Sequence, residues 1–239
     1  MTRQPTSPIL TYRRRVSSGA FAKCLYALSF ALPWVLQRTW LRLIFGYYIH
    51  PTSRIGYLWI MPDRLIMGPE STIGHLTVCK NVDLLELDNC AAIGKGNWIT
   101  GTRDSRYFQR YTHRCGQLLM GSHSAITHRH HLDCTDSISI GPYTTVAGSH
   151  SELWTHGIDV ERSEQSARPI TIGAYVLVGT RSILLGGAVV PSKSIIAAGS
   201  VVTGSLAESF CVYAGVPARP VRKIRENSKY FERTVGHVW

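Results

Sequence analysis

Every sixth residue from Ile172 onward is aliphatic: Ile172, Val178, Leu184, Val190, Ile196 and Val202 follow without a miss. Four places further on in successive hexads stand Val176, Ser182, Ala188, Ser194 and Ser200, all small or slim. A period of six fits neither a 3.6-residue helix nor the two-residue alternation of a simple strand. Hexads of this composition predict a parallel β-helix, in which each hexad is a short flat side plus a turn and three hexads close one triangular coil. The aliphatic residue then points inward and stacks on the next coil.

Upstream the pattern returns in fragments: Met67, Ile73 and Cys79; Leu87, Ile93 and Ile99; Met120, Ile126 and Leu132; Cys134, Ile140 and Val146. Phase shifts between these groups mark inserted turns or loops. The largest interruptions run from Thr102 to Gln117 and from Ser151 to Arg168. Loops that leave a rigid solenoid are where function concentrates. A purely structural solenoid would present a regular flat, Thr-rich or polar face, whereas this repeat is irregular and opened by His-bearing loops.

Before the hexads the pattern differs. A basic start at Arg13 to Arg15 leads into apolar and aromatic residues up to Tyr48. The uncharged stretch from Cys24 to Leu36 falls short of the roughly 20 residues a bilayer span needs, and Pro33 interrupts it. Apolar residues also continue past any signal-peptide cleavage point, through Trp40, Leu41, Leu43, Ile44 and Phe45. The expectation is one or two helices that pack on the protein or lie in a membrane interface. The domain reading is a helical segment over 1–46, a β-helix over 47–213 and a short C-terminal tail over 214–239.

Composition adds two constraints. A net charge of +11 over 239 residues attracts anions, such as phosphorylated cofactors, acidic headgroups or anionic glycans. No zinc-finger spacing or RNP segment is present, so nucleic acid is not an expected partner. The six cysteines are scattered without a C-x-x-C pair, which points to a reduced, cytoplasmic setting and to core filling.

Three segments resemble the hexapeptide-repeat acyltransferases, the left-handed β-helix family. "THGIDVERSEQSARPITIG" (Thr155 to Gly173) is similar to a "TH, two residues, D, then Arg and a Pro-aliphatic-x-Ile-Gly" segment of maltose- and galactoside-type O-acetyltransferases. "IIAAGSVVTGS" (Ile195 to Ser205) and "YAGVPARPVRKI" (Tyr213 to Ile224) resemble the family's closing motifs. The resemblance implies an all-β, left-handed parallel β-helix forming a homotrimer with active sites at subunit interfaces. The basic and aromatic insertion from Thr102 to Arg114, with the apolar N-terminal segment, points to a sugar or surface-polysaccharide acceptor met in the cytoplasm or at the inner membrane face, and no metal is expected. The resemblance itself implies an acyl-CoA donor, acetyl-CoA. It names no particular acceptor, and N-acylation of an amino sugar or a non-catalytic scaffold are the alternative readings.

Carried over by position, the resemblance makes His156 the catalytic base; His150, in "GSHS", is several residues short of the family spacing. An imidazole with a near-neutral pKa suits the removal of an acceptor proton, provided that its other nitrogen is oriented. Asp133 and Asp159 are the candidate orienting groups, with Glu152 a weaker one. Gly179, Thr180, Ala197, Ala198, Gly199 and Ser200 match the acyl-CoA groove, and Arg219 and Arg222, with Lys223, follow the "GVPA" turn where cations meet nucleotide phosphates. His130, His150 and Trp154 are the expected acceptor contacts.

The cluster His128, His130 and His131 invites a metal reading, but alternate side chains of a strand point in opposite directions, which disfavours convergence on one ion. The family's usual "WIG" reads "LVG" here, with Leu177 in place of Trp. The γ-class carbonic anhydrases share the fold, but their zinc histidines would fall on Thr180 and Leu185, which cannot ligate zinc.

Overall fold

The computed structural model describes residues 19–238. Three sheets of seven, nine and seven strands run the length of the described residues, parallel except for the last strand of the second, with each parallel strand pairing with its counterpart one coil away. The chain therefore winds through seven coils of a left-handed β-helix with three faces. The inward column of the second face is Ile55, Ile73, Ile93, Ile126, Val146, Val178 and Ile196, in continuous register. The third face carries Ile60, Cys79, Ile99, Leu132, Leu153, Leu184 and Val202 in the same way. Apart from Ile55 at 8% exposure, these residues are 2% exposed or less, and each such burial is worth about 1.5–3 kcal/mol.

The small positions also form columns, at the corners. Between the second and third faces stand Thr77, Asn97, His130, Ser151, Ser182 and Ser200, all buried. Cys134 differs from its place in the sequence pattern: it is buried, but follows the strand His131–Asp133 at a corner and belongs to no strand ladder. The coil's inward residues are instead Ile140, Val146 and Leu153, the last shifted by one place.

Corners turn through left-handed backbone at Cys90, His123, Tyr143, Tyr175 and Lys193, none of them glycine. Such a conformation costs about 1–2 kcal/mol for an L-residue. It is offset here because each of these N–H groups donates to a carbonyl of the preceding coil, as Tyr175 does to Pro142 at 2.9 Å and Lys193 to Ala174 at 2.8 Å.

At the start, helices α1 (Ala20–Leu28) and α2 (Trp34–Phe45) cover the first coil. Pro33, without an N–H to donate, sits at the break between them, and Gly46 ends α2 in left-handed backbone. Tyr26 packs edge-on against Phe45 and Trp59, and its hydroxyl accepts the Ile60 N–H at 3.4 Å. The strand Trp59–Met61 is the sheet edge, so this contact closes hydrogen-bonding capacity that an open edge would expose.

At the other end the strand Cys211–Gly215 joins the second face and turns back as the antiparallel strand Ala218–Lys223. The expected boundary at Tyr213 falls inside that strand. Residues beyond it run back along a corner, where Arg233 lies over the rings of Tyr175 and Tyr230 and donates to the Tyr143 carbonyl. The rings of His123, Tyr143 and Tyr175 stack beneath this strap at one-coil intervals of 5.0 and 4.7 Å.

Candidate active site

Two excursions leave the same corner, at the end of the third face. In the fifth coil the strand Glu152–Trp154 passes through Thr155 into an antiparallel hairpin, His156–Asp159 with Glu164–Ala167. Two coils earlier, the strand Trp98–Thr100 opens into the insertion that begins at Thr102. His156 thus stands at the root of one excursion and beside the other.

Asp133, at the end of the adjacent coil's strand, is 3% exposed and fixed from several sides. Its Oδ2 accepts from the Thr155 N–H at 3.1 Å and the His156 N–H at 3.0 Å, and its Oδ1 accepts the Thr135 hydroxyl at 2.7 Å. The His156 Nδ1 lies 2.7 Å from the same Oδ2. A carboxylate accepts only, so Nδ1 carries the proton and donates, which leaves the Nε2 lone pair for another partner. Nε2 makes no hydrogen bond among the described residues, and the ring is 31% exposed.

The electrostatics match. The Asp133 hydrogen bond raises the His156 pKa above its ordinary value, against partial burial that pulls it down. Burial pulls Asp133 upward, but hydrogen bonds from His156 and Thr135 outweigh it and hold the carboxyl below its usual range. The Trp154 ring meets the imidazole edge-on at 6.0 Å, and its indole N–H is held by Glu152 at 2.7 Å.

Several expected residues are placed elsewhere. Asp159 does not face His156: its carboxylate accepts the N–H groups of Glu161 and Arg162 at 3.1 and 3.2 Å and shapes the hairpin turn. His130 is not open to an acceptor, because it fills the buried corner column. Its Nε2 lies 2.9 Å from the Thr127 hydroxyl and its Nδ1 accepts the Ser151 N–H at 3.1 Å. Burial pushes it down to about 4, so it is neutral. His128 accepts the Lys95 N–H and His131 packs against Trp154, so the three neighbouring histidines face three different surroundings.

His150 and His156 lie at opposite ends of the strand Glu152–Trp154. His150 shares its corner with the expected donor residues. Thr180 donates to the Ser149 carbonyl at 2.7 Å, and the Gly199 N–H donates to the Thr180 carbonyl at 3.0 Å. Gly179 has no room for a side chain, since a Cβ would stand 2.6 Å from the Ala198 nitrogen. Gly199 turns with φ +71° and Ala198 is exposed beside it, whereas Ser200 points inward and donates to the Ala197 carbonyl at 2.7 Å. Arg219 and Arg222 are exposed on the terminal hairpin, and Lys223 pairs there with Glu208. Within one chain, the third face separates these groups from His156.

The insertion is a braced loop. Arg114 donates to the carbonyls of Thr102, Thr135 and Arg103 and stacks on Phe108 at 4.4 Å. Arg110 reaches Glu164 of the hairpin at 2.9 Å. Between the two excursions opens a cleft of about 560 Å³ lined by Arg106, Tyr107, Arg110, Ile158, Glu164 and Gln165, among others. Sequence reasoning gave no role to Thr135, Thr155 or Arg114; Thr155 meets Asp133 across the step between coils, Thr135 meets it from two residues on, and Arg114 braces its own loop against the next coil.

Fold and motifs together set the chain beside one class: it resembles the hexapeptide-repeat acetyltransferases. It is 33% identical over 100 residues to the galactoside O-acetyltransferase of Escherichia coli K12, covering 40% of this chain and 46% of that one. Over 74 residues it is 43% identical to a Saccharomyces cerevisiae protein named as an acetyltransferase, covering 30% and 37%. The chain thus spans less than half the length of these curated relatives. In fold it is similar to the polysialic acid O-acetyltransferase OatWY, with a TM-score of 0.57 at 19% identity, over 79% of this chain and 92% of that one. A variant of the N-acyltransferase AntD from Bacillus cereus, in complex with a deoxyamino sugar nucleotide and coenzyme A, gives 0.50 at 16% over 80% and 90%. No protein-family model matches the chain.

Proposed function

We propose that the protein transfers an acetyl group from acetyl-CoA to a hydroxyl of a sugar or surface glycan, with His156 as the base. The observation that carries this reading is the His156–Asp133 pair, with Nδ1 engaged at 2.7 Å and Nε2 turned outward. In the proposed step Nε2 takes the proton of the acceptor hydroxyl as its oxygen attacks the thioester carbonyl carbon. The tetrahedral intermediate then expels the CoA sulfur, which recovers that proton from the imidazolium. Asp133 holds the ring and stabilises its charged form. The acceptor is seated in the cleft between the insertion and the hairpin, where arginine and tyrosine side chains suit a sugar ring bearing anionic groups.

The donor is assigned to the corner of Gly179, Thr180, Ala197, Ala198, Gly199 and Ser200, with Arg219 and Arg222 toward its phosphates. That corner lies across the third face from His156, so one working site draws on two copies. This favours the homotrimer with shared sites that the resemblance implies.

The test is incubation with acetyl-CoA and a panel of sugars, nucleotide sugars and amino sugars, read by mass spectrometry beside His156→Ala. An acetyl mass gain on a hydroxyl, lost in the variant, supports the reading. Acetylation confined to amines replaces it with N-transfer, and an absence of CoA binding overturns it.

A further inference from the structure

The first 62 residues contain eight Arg or Lys and not one Asp or Glu. Asp63 is the first acid in the chain. Within this stretch lie α1 and α2, and their burial is the reverse of what a water-facing cap needs. Both helices turn Tyr26, Leu41 and Phe45 inward onto the first coil. The outward positions are apolar as well: Phe21 is 72% exposed, Leu28 60%, Val35 64% and Leu36 55%. Phe21 and Leu28 stand seven residues apart on one stripe of α1. Lys23 and Arg42 are exposed on the same two helices.

Large apolar side chains left exposed on two helices whose only charged residues are cations match the interface of an anionic bilayer. At 9 and 12 residues the helices are about 14 and 18 Å long, so neither crosses a hydrocarbon core of about 30 Å. They have the dimensions of elements that lie along a surface.

We propose that the α1–α2 cap docks the protein on an anionic membrane surface. The apolar outer residues enter the headgroup boundary, and the exposed Lys23 and Arg42 meet the lipid charges. Four coil spacings of about 4.8 Å separate the first coil from the coil that ends at His156, which sets that residue roughly 19 Å above the first coil, and a helical layer about 10 Å thick lies below that coil. An acceptor carried on a lipid would meet the site at that height; this consequence rests on the acetyl-transfer reading, whereas the docking does not.

The experiment is flotation of the full chain with vesicles of phosphatidylcholine alone or mixed with phosphatidylglycerol, in low and high salt. Binding is expected on the anionic vesicles, weaker in high salt, and reduced about tenfold or more by Phe21→Ser with Leu36→Ser. Lys23→Glu with Arg42→Glu should weaken it as well. Both pairs are on the exterior, and circular dichroism checks that they fold. No preference for anionic vesicles overturns the proposal. So does a change in oligomer mass in the Phe21→Ser, Leu36→Ser variant by light scattering, which would make the apolar face a contact between copies of this chain.

Discussion

The Nδ1 of His156 and the Oδ2 of Asp133 meet at 2.7 Å across the step from one coil to the next. Twenty-three residues separate them along the chain, yet adjacent registers bring them together, because Asp133 pairs with Trp154 in the ladder and His156 follows two places on. The hydrogen bond raises the His156 pKa above 6.5, and the imidazole acts as a base only when neutral. Acetyl transfer should therefore increase with pH along a limb lying above the ordinary imidazole range. Asp133→Asn removes the dominant raising cause, so the limb should move to lower pH while the maximal rate falls. His156→Ala should cost about 10²–10⁴-fold with the far-ultraviolet dichroism unchanged. A pH profile of kcat/KM for the three proteins checks both statements. An unchanged limb in Asp133→Asn would remove Asp133 from its positioning role.

His130 supplies a prediction about stability alone. Its folded pKa, about 4, lies below the ordinary 6.5, so folding favours the neutral ring. The associated stability is complete above about pH 6.5 and declines as the pH falls toward 4, where the unfolded chain binds a proton that the folded chain resists. His130→Asn, which places at this corner the residue that the third coil has as Asn97, should flatten the dependence. Urea midpoints measured above about pH 7 and near pH 5 should converge in the variant relative to the parent.

The behaviour of His130 also marks where the sequence is informative. The hexad fixes which residues point inward, and the inward series from Ile172 to Val202, two residues on each face, is legible without coordinates because each hexad repeats one physical demand. Counting two places back from Leu132 would have put His130 in the small-residue corner column, but its size and polarity drew attention to ligand chemistry instead. His156 is singled out by its segment as the candidate base. Its partner is narrowed to Asp133 and Asp159 but not chosen: Asp159 is near in sequence, whereas Asp133 becomes near only through the register between coils. Thr155 opens the same segment, but its bonds to Asp133 run between coils and gave it no role in advance; Thr135 meets Asp133 from two places on and Arg114 grips its own loop, contacts that no hexad position marks.

Arg110 and Glu164 tie the insertion to the hairpin through one partly exposed ion pair at 2.9 Å. A pair of this exposure contributes little to folding, about 0–1 kcal/mol. Its value lies in the shape of the cleft beside the hairpin that begins at His156. Arg110→Ala should leave the melting temperature nearly unchanged, raise KM for the acceptor and spare KM for acetyl-CoA. Equal effects on both substrates would separate the cleft from the acceptor.

The last prediction follows from the distance between the two halves of the proposed site. His156 occupies one end of the third-face strands, and the corner of Thr180 and Ala198 occupies the other, with a whole face between them. If both halves had to come from one chain, a thioester held at the second corner would not reach the base at the first. Two copies related by a cyclic symmetry remove the difficulty, because the first corner of one meets the second corner of the next. Ala198→Trp, at an exposed position, should obstruct the donor corner without disturbing the core. It should be inactive by itself, as should His156→Ala. Refolded or co-expressed together in equal amounts, the two should regain activity, since random mixing leaves about one quarter of the interfaces with both halves intact. Recovery in the mixture, and none when the two purified variants are combined without subunit exchange, would establish a site shared between subunits. A mixture as inactive as its components would confine the reaction to one chain and require a different donor surface.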